Sequence, residues 1–383
     1  VGFYNRPTPQ TFDVCIRGAG VVGHTLALLL ARERLRVALV GSSAPASSPD
    51  VRAYALNAAS RQLLESLRTW PDAIHACPVR QMQVYGDQDS TLGFDAASQG
   101  AEALAWIVDV PALETRLAEA VRYQPQVERV AAPVAAPLTI ICEGRASQTR
   151  AELGVDFEIT PYAQHAIATR LVCELPHGYT ARQWFAQGSI LALLPLEGHQ
   201  GHEVAVVWSV PAEQVAPLLE LHDAAFSQAI TEASQGELGT LTLHAARTAW
   251  PLQQAQANRW CGPVLHHGQP SAESWVLAGD AAHNVHPLAG QGLNLGLGDA
   301  QALARILSQR EDWRSVADLR LLRRYERERK AALLPVGLLM DGLQQLFSRP
   351  EAPLQALRNW GLNSFERSGP LKDWMARRAM GSH

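Results

Sequence analysis

Between Asp13 and Val40 the pattern of apolar and polar positions changes period twice. Val14-Cys15-Ile16 is a short β-prone run that enters glycines at 18, 20 and 23. From Val21 to Ala31 the apolar positions become nearly continuous, as in a buried helix, and a second β-prone run follows at Arg36 to Val40. Strand, glycine turn, helix and strand make a β-α-β unit. Further along, Leu63, Leu64 and Leu67 take helical core spacing, Val110 to Val121 is amphipathic, and Leu138 to Cys142 is a strand. The middle of the chain has another texture. Ala166 to Leu175, Ser189 to Pro195 and Glu203 to Val210 are strand-like runs bounded by Pro, Gly and His, which indicates an antiparallel sheet. The fold class expected is α/β, a Rossmann-like domain interleaved with an antiparallel-sheet domain.

The first turn reads Gly-x-Gly-x-x-Gly in the strand-turn-helix setting that gives this pattern meaning. Gly18 permits the tight turn, Gly20 lets the backbone approach a pyrophosphate, and Gly23 lets helix pack on strand. The N–H groups at the helix start then face the phosphates. The second strand should end in an acid that holds ribose hydroxyls, but it ends Val40-Gly41-Ser42-Ser43. Arg17, just before the turn, is also unusual at a strand end; it reaches a phosphate or lies at an edge.

A second glycine constellation lies at Trp275 to Asp299. A strand ends at Gly279-Asp280, a loop carries Pro287 and Gly290, and a helix starts near Gly292. An acid at a strand's carboxyl end can accept hydrogen bonds from sugar-chain hydroxyls. Glycines at a helix start let bare backbone approach a ring system, with the positive end of the helix dipole stabilising negative charge. His283 and His286 lack a third ligand, so no metal is expected, and both are read as lining this loop.

Together these stretches resemble the three motifs of flavin-dependent aromatic hydroxylases, the single-component group A enzymes of the p-hydroxybenzoate hydroxylase type. The motifs are Gly18 to Gly23, Gly144 with Ser147 and Arg150, and Gly279-Asp280 with Gly290-Gln-Gly292-Leu293-Asn294. The third is closest to the FAD hydroxylases of ubiquinone biosynthesis. Arg52-Ala-x-Ala-Leu, Tyr162 to Ala168, Phe185 to Pro195, Val207-Trp208-Ser209 and Arg324-Tyr325-Glu326-Arg-x-Arg329 are similar to that branch as well. The resemblance implies FAD, with NAD(P)H as reductant and O₂ as co-substrate. A phenol bearing a polyprenyl tail would be hydroxylated through a flavin C4a-hydroperoxide. It places Gly18, Gly20 and Gly23 along the FAD diphosphate, Arg52 near the ribityl-diphosphate region, and Gly279 and Asp280 at the ribityl chain. Pro287, Gly290, Gly292, Leu293 and Asn294 would border the isoalloxazine ring, with His283 beside the flavin. The family's middle motif opens on an Asp that contacts the diphosphate and the nicotinamide cofactor; here Glu143 stands before Gly144.

The expected FAD-binding domain comprises 1–75, 101–155 and 262–345, the substrate domain 76–100 and 156–261, and a C-terminal helical segment 346–383. The crossover between Val121 and Glu143 is shorter than the family's. Leu339, Leu343, Leu346 and Phe347 form an apolar stripe flanked by Arg349 and Arg358. It could dock on a lipid surface or a biosynthetic partner, but packing on the protein's own core or at a homo-oligomer interface is the favoured reading.

Composition narrows the partners. Charged residues make up 18%, below the typical fraction of about 25%, and the net charge is -4. Nucleic acid is disfavoured. The one basic block, Arg320 to Lys330, interleaves Arg323, Arg324, Arg327 and Arg329 with Glu326 and Glu328 and reads as a solvated helix face. Five scattered cysteines without a Cys-x-x-Cys pair fit a reducing, cytoplasmic setting. No stretch reaches the roughly 20 apolar residues of a bilayer span, so any contact with the inner membrane is peripheral. Two other readings remain at this level. One is a different flavoenzyme acting on isoprenoids, and the other a non-catalytic relative serving as a scaffold, motivated by Gly41, Glu143 and the short crossover.

Overall fold

The chain enters β1 (Val14–Arg17), turns through Gly18 to Gly20 into α1 (Val21–Arg32) and returns as β2 (Val37–Val40). The computed structural model describes residues 11–41, 50–86, 91–186, 188–284 and 291–348, with side chains of the last helix described to Leu334. Next come β3 (Ala53–Leu56), α2 (Ala58–Ser66), β4 (Ala76–Val79), β5 (Gln81–Tyr85), β6 (Thr91–Asp95) and β7 (Ala105–Asp109). α3 (Val110–Arg122), β8 (Val127–Val130), β9 (Leu138–Ile141) and the short α4 (Gln148–Glu152) lead to the long β10 (Phe157–Cys173). Then follow β11 (Thr180–Ala186), β12 (Ser189–Leu196), β13 (Glu203–Pro211), α5 (Ala212–Glu220), α6 (Asp223–Ala233), β14 (Leu241–Leu243) and β15 (Thr248–Ala257). β16 (Cys261–His266), β17 (Gln269–Leu277), β18 (His283–Asn284), α7 (Gly292–Ser308) and α8 (Leu319–Ser348) complete the described chain.

Three sheets result. The first has the order β16-β17-β9-β1-β2-β8, parallel from β17 to β8, with β16 antiparallel at the edge. Strands buried on both faces must be apolar throughout, and Val14, Ile16, Val37, Leu138, Ile140 and Val276 are fully buried. The second sheet runs β18-β15-β10-β13-β12-β11-β5-β6, with β14 pairing β10. Its strands alternate: Ile167, Leu171, Trp184, Leu191, Val206 and Trp208 pack under α5 and α6 against Phe226 and Ile230, and the intervening residues point to the opposite face. A small sheet, β3-β7-β4, closes one end of that opposite face, where Val79 and Ile107 pack against Ala181, Leu196 and Ala205.

The expected boundary at 261/262 falls at the start of β16, which joins the first sheet, and that at 75/76 falls just before β4. The crossover after α3 holds only β8, added parallel to β2. α8 runs through Pro335 and Gly342 to Ser348, so the stripe from Leu339 to Phe347 lies on helical backbone. Arg349, Arg358 and the rest of the C-terminal segment are outside the described residues. The basic block is not wholly a solvated face. Arg323, Arg324 and Arg327 are exposed, but Glu326 and Arg329 turn inward, because α8 packs against α7 and β16.

Candidate active site

The turn between β1 and α1 is shaped by contacts that exclude side chains. Gly18 has φ +111°, and a Cβ there would fall 2.6 Å from the Cys142 carbonyl carbon. A Cβ on Gly23 would overlap the carbonyl oxygen of Gly18, so α1 sits directly on the turn. Gly20 differs: nothing lies within 4 Å of its Cβ position. α1 also has no side-chain cap and no acid in its first turn, which leaves its leading N–H groups and its dipole free for an anion. The missing acid after β2 has a steric counterpart, since a Cβ on Gly41 would lie 2.5 Å from the Ala19 Cβ. Ser42 and Ser43 are outside the described residues.

At the carboxyl end of β9, Glu143 is tied down on both oxygens. Oε1 accepts from Thr149 Oγ1 at 2.6 Å and lies 3.0 Å from Arg17 Nε; Oε2 accepts from Ser147 Oγ at 2.8 Å and Thr149 N at 3.1 Å. Burial pushes this carboxyl up, but the bonds from Thr149 and Ser147, with the Arg17 charge, hold it below the usual carboxylate range. Arg150 is buried and joins two motifs. It donates to the Ala281 carbonyl at 2.9 Å and the Arg145 carbonyl at 2.8 Å, with its guanidinium 3.5 Å from the centre of the Phe157 ring.

The third motif forms around a buried acid. Asp299, on α7, is 0% exposed. Its Oδ2 accepts from Gly279 N at 2.9 Å and from His283 Nε2 at 2.6 Å, and its Oδ1 accepts from Arg329 Nε at 2.6 Å. Burial raises the Asp299 carboxyl, but His283 and Arg329 more than offset it, and the net shift is downward. His283 is 3% exposed and stacks on Trp260 with centroids 5.0 Å apart. Its side chain therefore offers almost no surface to a ligand, because Asp299 and Trp260 draw it into the core. Asn294 is likewise tied within the protein. It is 7% exposed; its Oδ1 accepts from Asn57 N at 3.0 Å and Ser60 Oγ at 2.7 Å, and its Nδ2 donates to the Ala55 carbonyl at 2.8 Å. Those bonds clamp α7 to β3 and α2, so only the Asn294 backbone is left for a ligand. Leu293 packs against the core, and Gly292 has open space at its Cβ position. His286, Pro287 and Gly290 lie outside the described residues.

Asp280 faces the other way. Its surface is open, yet protein surrounds it on most sides, and that crowding raises its carboxyl above the usual range against the pull of His283 and Arg145. Arg52 and Arg145 are close enough to act on its charge. Tyr54 shares this environment; burial lifts its phenol, with Arg52 and Asp280 among the acting charges. Arg52 is paired with Asp50 at 2.5 Å and Glu114 at 3.6 Å. The acid pair holds its guanidinium in place. Tyr54 on β3 and Arg145 in the loop after β9 are brought to Asp280 only by the tertiary structure.

Similarity to known proteins shows what kind of site this is. The model of the "FAD binding domain" family matches residues 95–334, well over half of the chain. 3-Demethoxyubiquinol 3-hydroxylase of Escherichia coli is 31% identical, over 98% of this chain and 100% of its own length. The chain belongs to the FAD-dependent hydroxylases. The ubiquinone hydroxylase UbiL of Rhodospirillum rubrum is 29% identical over 97% of this chain and 90% of its own. Two solved structures share the fold. One is PqsL of Pseudomonas aeruginosa, with TM-score 0.75 and 22% identity over 93% of this chain and 100% of that one. The other is p-nitrophenol 4-monooxygenase PnpA of Pseudomonas putida, with TM-score 0.74 and 18% identity over 97% and 99%.

The residues of this hydroxylase fit FAD. The open Cβ position at Gly20 and the uncapped start of α1 suit a diphosphate, and the crowded, accessible Asp280 carboxyl suits ribityl hydroxyls. Gly296 brings the two motifs together: a Cβ there would lie 2.8 Å from Val22 Cγ2 and 3.5 Å from Gly279 Cα. Among the described residues of the hydroxylase, no three His, Cys, Asp or Glu side chains are placed to hold a metal ion.

On the substrate side, strand alternation puts Gln183, Ala192 and Val207 on the sheet face away from α5 and α6, in adjacent positions of β11, β12 and β13. All three are half-exposed although their strands lie well inside a nine-stranded sheet. A central strand stays accessible on one face only where nothing covers it, so this part of the face is open to a ligand, while Ala166, Ala168 and Ala205 on the same face are buried. Gln164 stands on the same face of β10; its Nε2 donates to the Gly188 carbonyl at 2.6 Å, and its buried Oε1 has no partner. His165 points to the helix-covered face, and Tyr162 donates to Gln254 Oε1 at 3.0 Å.

Proposed function

We propose that this flavoprotein monooxygenase hydroxylates the ring of a phenol carrying a polyprenyl tail, a ubiquinone precursor, with NAD(P)H as reductant. The observation that carries the reading is the half-exposed part of the substrate-domain sheet at Ala192 and Val207, small apolar side chains beside the buried Ala166 and Ala168. They make a wall against which a ring and the first units of an apolar tail lose contact with water. Bound FAD supplies the oxygen-activating chemistry, which side chains cannot. The chain's own groups have positional tasks. Asp280 accepts from the ribityl hydroxyls, and the first N–H groups of α1 take the diphosphate. The start of α7 at Gly292 would turn its positive dipole end toward a bound ring system and favour negative charge there. The sheet wall excludes water and holds the substrate ring at a fixed angle, which decides the carbon attacked. Among the described residues no helix is long and apolar enough to cross a membrane. Access to a lipid-dissolved substrate would then come by peripheral contact with the inner membrane.

The test is a substrate-dependence experiment on FAD-loaded protein. Addition of a short-tailed prenyl phenol is expected to stimulate NAD(P)H oxidation and O₂ uptake, and to yield a product one oxygen atom heavier. Oxidation that no phenol stimulates would favour another flavoenzyme, and protein that takes up no FAD would favour a scaffold. Asp280→Ala is expected to lose FAD retention on gel filtration while keeping the secondary structure of the parent. Unchanged flavin content would remove the ribityl assignment.

A further inference from the structure

Two residues depart from their motifs, Arg17 in a strand end that is ordinarily apolar and Glu143 in place of Asp. The fold puts them in contact, with Arg17 Nε 3.0 Å from Glu143 Oε1 and the side chains 25% and 21% exposed. Arg17 precedes Gly18, and the Cβ position of Gly18 lies 2.9 Å from the Glu143 backbone nitrogen. The pair therefore stands at the edge of the phosphate turn, where β1 and β9 both end.

Glu143 is not free to serve a cofactor. Besides Arg17 its carboxylate accepts from Ser147 Oγ, Thr149 N and Thr149 Oγ1, so its lone pairs are spoken for within the protein. Arg17 is only half used. Its Nε faces Glu143, and among the described residues its two terminal nitrogens have no partner. A guanidinium gripped on one edge and open on the other is preorganised to take a phosphate oxygen. Electrostatics favour the same arrangement. Glu143 alone would oppose a diphosphate at this point, and pairing with Arg17 leaves it neutral.

We propose that Arg17 is a diphosphate-binding residue of this chain, contacting a dinucleotide through its terminal guanidinium nitrogens, with Glu143 as its counter-charge. The diphosphate is that of FAD or of the nicotinamide dinucleotide. The proposal is independent of which phenol is hydroxylated.

The experiment titrates apoprotein with FAD and with riboflavin, which has no phosphate, by flavin fluorescence, for wild type, Arg17→Val, Arg17→Gln and Glu143→Gln. Loss of a charge-assisted hydrogen bond is expected to weaken FAD by about 10- to 100-fold in both Arg17 variants, with riboflavin binding and thermal unfolding unchanged. Glu143→Gln keeps the cation and is expected to bind FAD at least as tightly as wild type. If the contact is instead to the nicotinamide dinucleotide, FAD affinity stays at the wild-type value in the Arg17 variants. The NAD(P)H concentration for half-maximal flavin reduction, read by stopped-flow absorbance, then rises by the same factor. Arg17 variants equal to wild type in both titrations would overturn the proposal, as would weakened FAD binding confined to Glu143→Gln. Arg17→Gln carries the comparison if Arg17→Val does not fold.

Discussion

Gly23→Ala is expected to lower the thermal stability of the apoprotein sharply, while Gly20→Ala leaves it unchanged and weakens FAD binding instead. Gly20 and Gly23 share one motif, but their surroundings differ. A methyl at 23 would overlap the Gly18 carbonyl oxygen, a backbone atom that cannot rotate away. Overpacking costs about 1–3 kcal/mol, and an overlap with backbone belongs at the upper end. Better helix propensity returns at most about 1 kcal/mol. A methyl at 20 meets nothing within 4 Å, so the fold accepts it, but it enters the space the diphosphate would use. Thermal unfolding and FAD titration of both variants separate the two effects. A Gly23→Ala protein as stable as wild type would contradict the packing of α1 on the turn. A Gly20→Ala protein with unaltered FAD affinity would move the diphosphate elsewhere.

Asp299→Asn is expected to destabilise the protein by about 3–5 kcal/mol, the usual effect of breaking a buried ion pair. The Arg329 guanidinium, itself largely buried, would lose its counter-charge, and the Gly279 N–H and His283 would keep only a weaker acceptor. Replacing Arg329 as well removes the unpaired charge, so Asp299→Asn with Arg329→Gln is expected to cost less than the sum of the single changes. The pH dependence has a definite sign. A carboxyl whose folded value lies below its unfolded value of about 3.9 contributes stability in full above that pH and loses it as pH falls further. Asp299 is such a group, so acid unfolding of wild type should include a decline below about pH 4 that the Asp299→Asn variant lacks. Because the same acid holds the Gly279-Asp280 turn, the variant is also expected to release FAD more readily. Identical acid unfolding curves for the two proteins would show that Asp299 does not carry this load.

Much of the site was legible because its physics is local. Gly18, Gly20 and Gly23 stand within six residues of one another, and the turn they permit follows from backbone geometry alone. The same holds for Gly279-Asp280 at a strand end. The roles of Asp299, His283 and Asn294 were not legible in this way. His283 beside glycines reads as a loop residue until the partner sixteen positions later is known to turn back onto it. Asn294 reads as a ring neighbour until α2 and β3 arrive to accept and donate its hydrogen bonds, more than 230 residues away in the chain. One signal was available: an acid at 299 in the Gly-, Ala- and Leu-rich first half of α7 demands a buried partner.

The sequence by itself determined the fold class and the two glycine constellations, because period and turn geometry are properties of a few consecutive residues; the flavin chemistry followed from the resemblance of those motifs to the FAD hydroxylases. Only the tertiary structure decided which polar groups of those constellations are free for a ligand. Glu143, His283 and Asn294 are consumed by the protein, and Asp280 and the terminal nitrogens of Arg17 are not. A polar side chain's availability depends on what else reaches it, and those partners come from strands and helices that meet only when the chain is packed.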